Sequence, residues 1–369
     1  MLLNDQLLME RCLHLAKKAN GKTSPNPMVG SVIVHDNKII GEGYHKGIGQ
    51  SHAEVEAINS VKNQSLLEHS TIYVNLEPCN HFGKTPPCSD LIIKKRIPKV
   101  VIGTLDPNPK VAGKGIHKLR ESNVEVNVGI LKRKCEEVNK RFFCYHQKKR
   151  PYITLKWAES IDGFISPKNQ IKGKIFWITS YESRRLSHKW RSQEDSIAVG
   201  INTIINDNPE LTCRYLKRKS PIPIIIDPKN KINSNSKVFK KHEKIFHYVK
   251  KTIKAENRHS IKIDFKYGVQ EILTDLYKKN INSILVEGGT KTIQSFINAD
   301  LWDEAKRFIG KNRICEGVKS PIIKNTFFKR ATISFSSESN AEKSGVSKDG
   351  IPINSSPTAV AGPSKSTWP

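Results

Sequence analysis

Apolar positions recur along this chain at two different periods, and the alternation between them predicts the architecture. Leu8, Cys12, Leu15, Ala16 and Ala19 fall at helical spacing, so residues 5–19 are predicted to form an amphipathic helix. VGSVIVHD and KIIGEGY, joined across Asn37, read as a β-hairpin. Residues 52–61 then read as a helix, TIYVNL as a strand, and 87–95 as a second helix. KVVIG reads as a buried strand, followed by a helix near 115–121 and the strand VEVNV. Helices alternating with strands predict a sheet covered by helices, an α/β unit ending near residue 130.

A basic, helical-looking stretch, LKRKCEEVNKRFFCYHQKKR, leads into Pro151, and a second α/β series follows. It comprises YITLKWA, a helix through SRRLSHKW, DSIAVGINTII, PIPIIID, a helix near 268–279, and INSILVEGG running into another helix. The segment GINTIINDNPELTCR reads as a polar loop after an apolar strand. From Ser336 the chain is rich in Ser, Gly, Pro, Asn and Lys and carries neither period. So few apolar side chains cannot offset the entropy of ordering, which predicts a disordered tail. The expected division is therefore 1–147, 148–335 and a tail over 336–369.

Composition narrows the function classes. Of 369 residues, 37% are hydrophobic and 26% charged, enough for real cores, and no run approaches the ~18 apolar residues of a spanning helix. No membrane partner is expected. Asp5, Glu10 and Arg11 interrupt the apolar stretch that a secretion signal needs, so a cytoplasmic location is expected. Seven scattered cysteines are no disulfide framework in a chain this long, and clustered ones are to be read first as metal ligands. Lys plus Arg outnumber Asp plus Glu by 62 to 35, a net charge of +27 that favours anionic partners. The lysines are spread along the whole chain without a dense arm, which argues for solvated basic faces and no polyanion partner such as nucleic acid.

One constellation in the first half carries chemistry. His52 opens HAEVEAINSV, and Cys79 and Cys88 lie in EPCNHFGKTPPCSDLII, giving H-x-E followed by P-C-x8-C. Thiolate and imidazole suit zinc, and three protein ligands leave a fourth position open, as catalysis requires. Cys88 stands where a helix should start, a place that favours thiolate. Glu54 lies two residues beyond His52 and diverges from it on a helix, which makes it a poor ligand and a suitable acid/base beside the metal. Buried thiols and a structural metal are the alternatives, and His81 is a competing donor.

The second half lacks a GxGxxG fingerprint, so a standard dinucleotide fold is unsupported. It does carry VEGGTKTIQSF, a strand ending in Gly-Gly before a helix predicted to open at Thr290. Free N–H groups at such a turn make a phosphate or dinucleotide site.

These pieces resemble the bifunctional riboflavin-biosynthesis deaminase–reductases. In the first half the resemblance rests on SPNPMVGSVIV, GEGYHKGIGQSHAEVEAI, LEPCNHFGKTPPCSDLII and DPNPKVAGKGI. In the second it rests on PYITLKWAESIDGFI, WITSYESRRLSHKWR, AVGINTIINDNPELTCR and LVEGGTKTIQSFINADLWDE. It implies a cytidine deaminase-like domain followed by a dihydrofolate reductase-like domain. It further implies zinc on His52, Cys79 and Cys88, proton transfer by Glu54, and Asn26 against the pyrimidine. NADPH would contact Ala158, Trp177, Thr203, Asp207 and the turn of Gly289, Thr290, Lys291, Thr292, Ile293, Gln294 and Ser295. Arg191, Leu211, Arg214 and Glu287 would face the substrate, the arginines its phosphate; Lys156 lies in the matching LK motif. A homo-oligomer and a phosphorylated pyrimidine substrate are implied as well. The expected activity is deamination of 2,5-diamino-6-(5-phosphoribosylamino)pyrimidin-4(3H)-one, then NADPH-dependent reduction of the ribosyl chain to ribityl. Two departures stand out. Ile175 replaces a small polar residue, and only TISFS remains where the family adds a closing strand. A deaminase with an impaired reductase half is the alternative.

Overall fold

The computed structural model describes residues 4–335 except 83–85, 110, 217, 252–259 and 324–329; the expected tail, 336–369, lies outside the described residues. The chain forms two compact units. One comprises the residues up to Tyr152 with Ser192–Ser196 and Gln270–Ile284, and the other the remaining described residues.

In the first unit, Asn4 caps α1 (Asp5–Lys17), its side chain accepting from the Leu7 N–H. β1 (Gly30–His35) and β2 (Lys38–Tyr44) form the predicted hairpin, with Asp36 and Asn37 both at positive φ, as a two-residue turn demands. α2 (Ala53–Ser60), β3 (Thr71–Val74), α3 (Cys88–Lys94), β4 (Lys99–Ile102), α4 (Lys114–Glu121) and β5 (Glu125–Val128) follow in the predicted order. The helices α5 (Lys132–Val138) and α6 (Lys140–Lys148) account for the basic stretch after them.

The sheet order is β2-β1-β3-β4-β5, with β3, β4 and β5 parallel and β1 antiparallel to β3. Both faces are covered, which explains the continuous apolar runs. Ile33, Ile72, Val100 and Ile102 pack on one side with Ile58, Ile92 and Leu119 from α2, α3 and α4. Val32, Tyr73 and Val101 pack on the other with Leu8, Met9 and Cys12 of α1. Gly43 is required where α2 crosses β2: a Cβ there would stand 2.4 Å from the Ala57 nitrogen. That close approach brings the start of α2 to the edge of the sheet.

The second series contains β6 (Tyr152–Glu159), β7 (Phe164–Pro167), α7 (Tyr181–Arg191), β8 (Ser196–Gly200), α8 (Ile201–Asp207) and β9 (Ile222–Ile226). It continues with α9 (Lys237–Lys241), β10 (Phe246–Val249), β11 (Ser260–Lys262), α10 (Val269–Lys278), β12 (Ser283–Val286) and α11 (Thr290–Asn298). β13 (Glu304–Ile309), β14 (Gly317–Lys319) and β15 (Arg330–Phe335) complete it. An eight-stranded sheet has the order β11-β10-β9-β8-β12-β6-β13-β15, and β7 pairs with β14 separately.

Two sequence expectations change here. The polar loop expected from 201 onward is helical through Asp207, because Ile201 and Ile204, three residues apart, both pack into the cluster of Ile197, Val199 and Ile225. The helix ends at Asn208, which takes φ +42. The larger sheet also has the closing strand that the sequence left in doubt. The first four residues of TISFS, Thr332–Phe335, belong to β15, which pairs in parallel with β13, Thr332 opposite Lys306. Hydrogen exchange is expected to show strong protection at Thr332–Phe335; exchange there as fast as in an unstructured peptide would refute this pairing.

Candidate active sites

The register of the first sheet determines where its chemistry sits. Ser31 pairs with Val74, and Val74 with Ile102, so three segments leave the sheet at the same edge. They are the residues before β1, the loop after β3 and the loop after β4. Cys79 lies in the middle one.

His52 is the N-cap of α2 and Cys88 is the first residue of α3, both rigid positions at helix starts. His52 Nδ1 lies 3.3 Å from Cys88 Sγ and 3.5 Å from Cys79 Sγ, and the three donor atoms all lie within 4.8 Å of one another. The Cys88 backbone N–H points at Cys79 Sγ, 3.4 Å away. Hydrogen bonding from Cys88, then from His52, holds the Cys79 thiol far below its ordinary range, and Cys79 in turn raises His52 to about 9. Two sulfurs and an imidazole nitrogen form a soft donor set that fits zinc. His81 is exposed and stands outside this cluster.

Glu54, one residue into α2, is buried, and burial pushes its carboxyl up to about 7. Asn26 is held by a residue that carries no obvious motif of its own. His45 is buried, its Nδ1–H donating to the Ser51 carbonyl at 3.0 Å. Its Nε2 is thereby left to accept from Asn26 Nδ2 at 3.2 Å. The only sequence signal for His45 is its place in GYHKG, seven residues before His52. Asn80 Oδ1 and Ser89 Oγ, each next to one of these cysteines, are buried with no hydrogen-bond partner among the described residues. Buried polar atoms of this kind ordinarily find a partner, so a ligand's polar groups fit here.

In the second sheet β8 and β12 are neighbours, and their connections run to opposite sides, β8 toward β9 and β12 toward β13. Ligands of open α/β sheets sit at the carboxyl ends of such strands. There β8 ends at Gly200 and β12 runs into Glu287, Gly288 and Gly289, the N-cap of α11. A Cβ on Gly200 would stand 2.3 Å from Thr292 Oγ1, whereas one on Gly289 would meet only Thr203 Oγ1, at 3.9 Å. Gly288 is packed against Thr292, and Gly289 leaves room before the helix N-terminus, a cradle suited to a dinucleotide.

Thr203 and Asp207 lie on α8, and Asp207 Oδ1 accepts from Gln170 at 2.9 Å. Ala158 is near the end of β6, and Trp177 is exposed with the Arg184 guanidinium 4.4 Å from its ring centre. Arg191 is committed to protein partners: Nε and Nη2 donate to Glu287 at 3.1 and 2.6 Å, and Nη1 to the Thr212 carbonyl at 3.3 Å. Burial alone would raise Glu287, but Arg191 and Lys156 overcome it and hold the carboxyl at about 2. Lys156 Nζ lies 4.0 Å from Glu287 Oε2, and burial lowers its pKa. The Leu211 side chain is buried in the core cluster at φ +55, so it offers a ligand its backbone. Arg214 and Ile175 are exposed.

Comparison with known proteins agrees with both halves. Residues 3–104 match the cytidine and deoxycytidylate deaminase zinc-binding region, and residues 151–311 match the RibD C-terminal domain. The riboflavin biosynthesis protein RibD of Aquifex aeolicus is 40% identical over 85% of this chain and 89% of its own. That of Escherichia coli is 34% identical over 82% and 86%. The crystal structure of a diaminohydroxyphosphoribosylaminopyrimidine deaminase/5-amino-6-(5-phosphoribosylamino)uracil reductase from Thermotoga maritima has a TM-score of 0.78. It is 37% identical over 85% of this chain and 89% of that one. Acinetobacter baumannii RibD gives a TM-score of 0.78 at 31% identity over 88% and 91%. With a thiolate–imidazole metal cluster in one half and a glycine cradle in the other, the chain belongs to the bifunctional riboflavin-biosynthesis deaminase–reductases.

Proposed function

We propose that residues 1–147 deaminate 2,5-diamino-6-(5-phosphoribosylamino)pyrimidin-4(3H)-one. Residues 148–335 then reduce the resulting 5-amino-6-(5-phosphoribosylamino)uracil to its ribityl form. The observation that carries the reading is the buried Glu54 beside the His52–Cys79–Cys88 cluster.

His52, Cys79 and Cys88 would hold the zinc ion, which supplies the Lewis acidity that makes water nucleophilic near neutral pH. Glu54 accepts one proton of the water at a carboxylate oxygen and passes it to the ring nitrogen, then takes the remaining proton of the added hydroxyl and passes it to the departing amine, which leaves as ammonia. Asn26, its Nδ2 committed to His45, turns Oδ1 toward an N–H of the pyrimidine. In the reductase half NADPH supplies the reducing equivalents. Ala158, Trp177, Thr203, Asp207 and the turn from Gly289 to Ser295 would hold it. Glu287, fixed by Arg191, and the backbone at Leu211 orient the sugar, and Arg214 remains as the exposed cation for its phosphate. The protein's part in this step is positioning. Self-association, a cytoplasmic location and the lack of a nucleic-acid partner belong to the same proposal. Turnover should accordingly show none of the steep salt dependence of phosphate-backbone binding.

The test is incubation of the full chain with the diaminopyrimidine phosphate, with products identified by mass. Without a nicotinamide cofactor the expected product carries oxygen in place of the amine; with NADPH the same compound appears reduced. NADPH should be preferred over NADH, read by Arg184, Arg185, Lys189 or Lys291, since Arg191 is paired with Glu287. Equal kcat/KM with the two cofactors would remove the preference. A reduced product that still carries the amine would reverse the order of the steps.

A further inference from the structure

The mechanism above leaves unused a buried carboxylate two residues before the metal ligand Cys79. Glu77 sits in the loop after β3, and its side chain binds the loop after β4. Glu77 Oε2 accepts from the backbone N–H groups of Asp106 at 3.2 Å and Gly113 at 3.0 Å, and Oε1 accepts from Gly115 at 3.1 Å. The Glu77 N–H also donates to the Thr104 carbonyl at 3.0 Å. The two loops are in contact beside these bonds as well. A Cβ on Gly115 would stand 2.1 Å from the Pro78 carbonyl oxygen, so the start of α4 lies directly against the residue preceding Cys79.

The sheet order gives this docking a consequence. At the edge where β1 begins and β3 and β4 end, the metal loop lies between two neighbours, the Asn26 segment and the loop that opens with Thr104–Asn108. The first presents Asn26 and the second Asp106, whose Oδ1 caps the turn at the Asn108 N–H, 2.7 Å away. Asp106 is buried, and burial, Glu77 and Cys79 together push its carboxyl up to about 6. A flat ring held over the metal by Asn26 on one side therefore meets this turn on the other.

We propose that Glu77 is a positioning residue for deamination: it fixes Thr104–Asn108 and the start of α4 against the metal loop as the second wall of the pyrimidine pocket. The inference rests on the deaminase reading of this site. A carboxylate fits the task because it accepts from three N–H groups, whereas an amide of the same shape offers one accepting oxygen and turns an NH2 toward the remaining donor. Displacing a substrate wall by a fraction of an ångström weakens binding without removing the metal or its acid/base.

The test compares full-length wild type, Glu77→Gln and Gly115→Ala, measuring zinc content, deamination kinetics and reduction of pre-deaminated substrate in each preparation. Glu77→Gln is expected to lower kcat/KM for deamination by about 10²-fold, mainly through KM. Zinc stoichiometry and the reductase rate should remain at wild-type values. Gly115→Ala, which disturbs the same docking through Pro78, should show the same KM-dominated loss. Wild-type KM in Glu77→Gln, a fall confined to kcat, or a loss that tracks zinc content or reductase activity overturns the proposal. A wild-type chain that binds zinc but leaves the pyrimidine intact overturns the deaminase reading, and this inference with it.

Discussion

Glu54→Gln should lower the deamination rate by about 10²–10⁴-fold, the range that general acid–base catalysis supplies. Zinc should stay bound and reduction of pre-deaminated substrate should continue at the wild-type rate. The amide keeps the side chain's shape inside a buried site but has no basic oxygen to take the proton from water. Glu54 is absent from the donor cluster, which among the described residues closes on His52, Cys79 and Cys88. Metal analysis of the purified variant separates the two roles. If zinc leaves together with the carboxylate, Glu54 is a ligand and its assignment as proton carrier falls.

Removing one partner of the buried Arg191–Glu287 pair should have the largest effect on the reductase half. Glu287→Gln leaves the Arg191 guanidinium and the Lys156 ammonium without their shared counter-charge, and breaking such a pair costs about 3–5 kcal/mol. For a unit of this size that corresponds to roughly 6–20 °C in Tm, with loss of reductase activity. Acid titration supplies the sign. Glu287 is held at about 2, below its ordinary 4.5. Its contribution is therefore complete above 4.5 and is lost as pH falls toward 2. Wild-type Tm should drop more steeply across that window than the Tm of Glu287→Gln. A triple Lys156→Met/Arg191→Met/Glu287→Met variant, which leaves no charge of this cluster buried alone, should regain much of the stability and none of the activity, because apolar groups can replace the cluster's packing but not its charges. Unchanged Tm in Glu287→Gln would show that the pair contributes nothing to the fold.

The metal centre was legible from residue order alone. Its ligands are uncommon residue types, and each sits at a helix start or strand end that local pattern marks. His52 precedes an apolar helical period, Cys88 follows Pro-Pro, and Cys79 follows the buried run TIYVNL. The same locality made the strands of the first sheet readable, since strands covered on both faces are continuous apolar runs. It also made the opening of α11 after Gly289 readable.

Elements whose character comes from distant neighbours were not readable. β13, EAKRFI, has charged residues along it, yet it lies between β6 and β15 in the larger sheet with Glu304 buried. α8 passes for a polar loop until Ile201 and Ile204 are placed on a hydrophobic cluster. β15 carries a short apolar pattern that means little without Ile309 opposite Phe335. The same holds for the sites. His45 acquires its role from Asn26, nineteen residues away, and Arg191 is paired with Glu287 at a separation of 96 residues. Glu77 takes its hydrogen bonds from residues 29 to 38 positions ahead.

By itself, then, the sequence determined the donor set, the carboxylate beside it, the glycine turn and the α/β alternation, because each depends on residue type and spacing within one or two elements. Only the tertiary structure decided which carboxylate pairs with which cation, which amide is oriented by which imidazole, and which loop is docked to the metal loop. Those choices are made by hydrogen bonds and charges brought together across the sheets, and spacing along the chain carries no record of them.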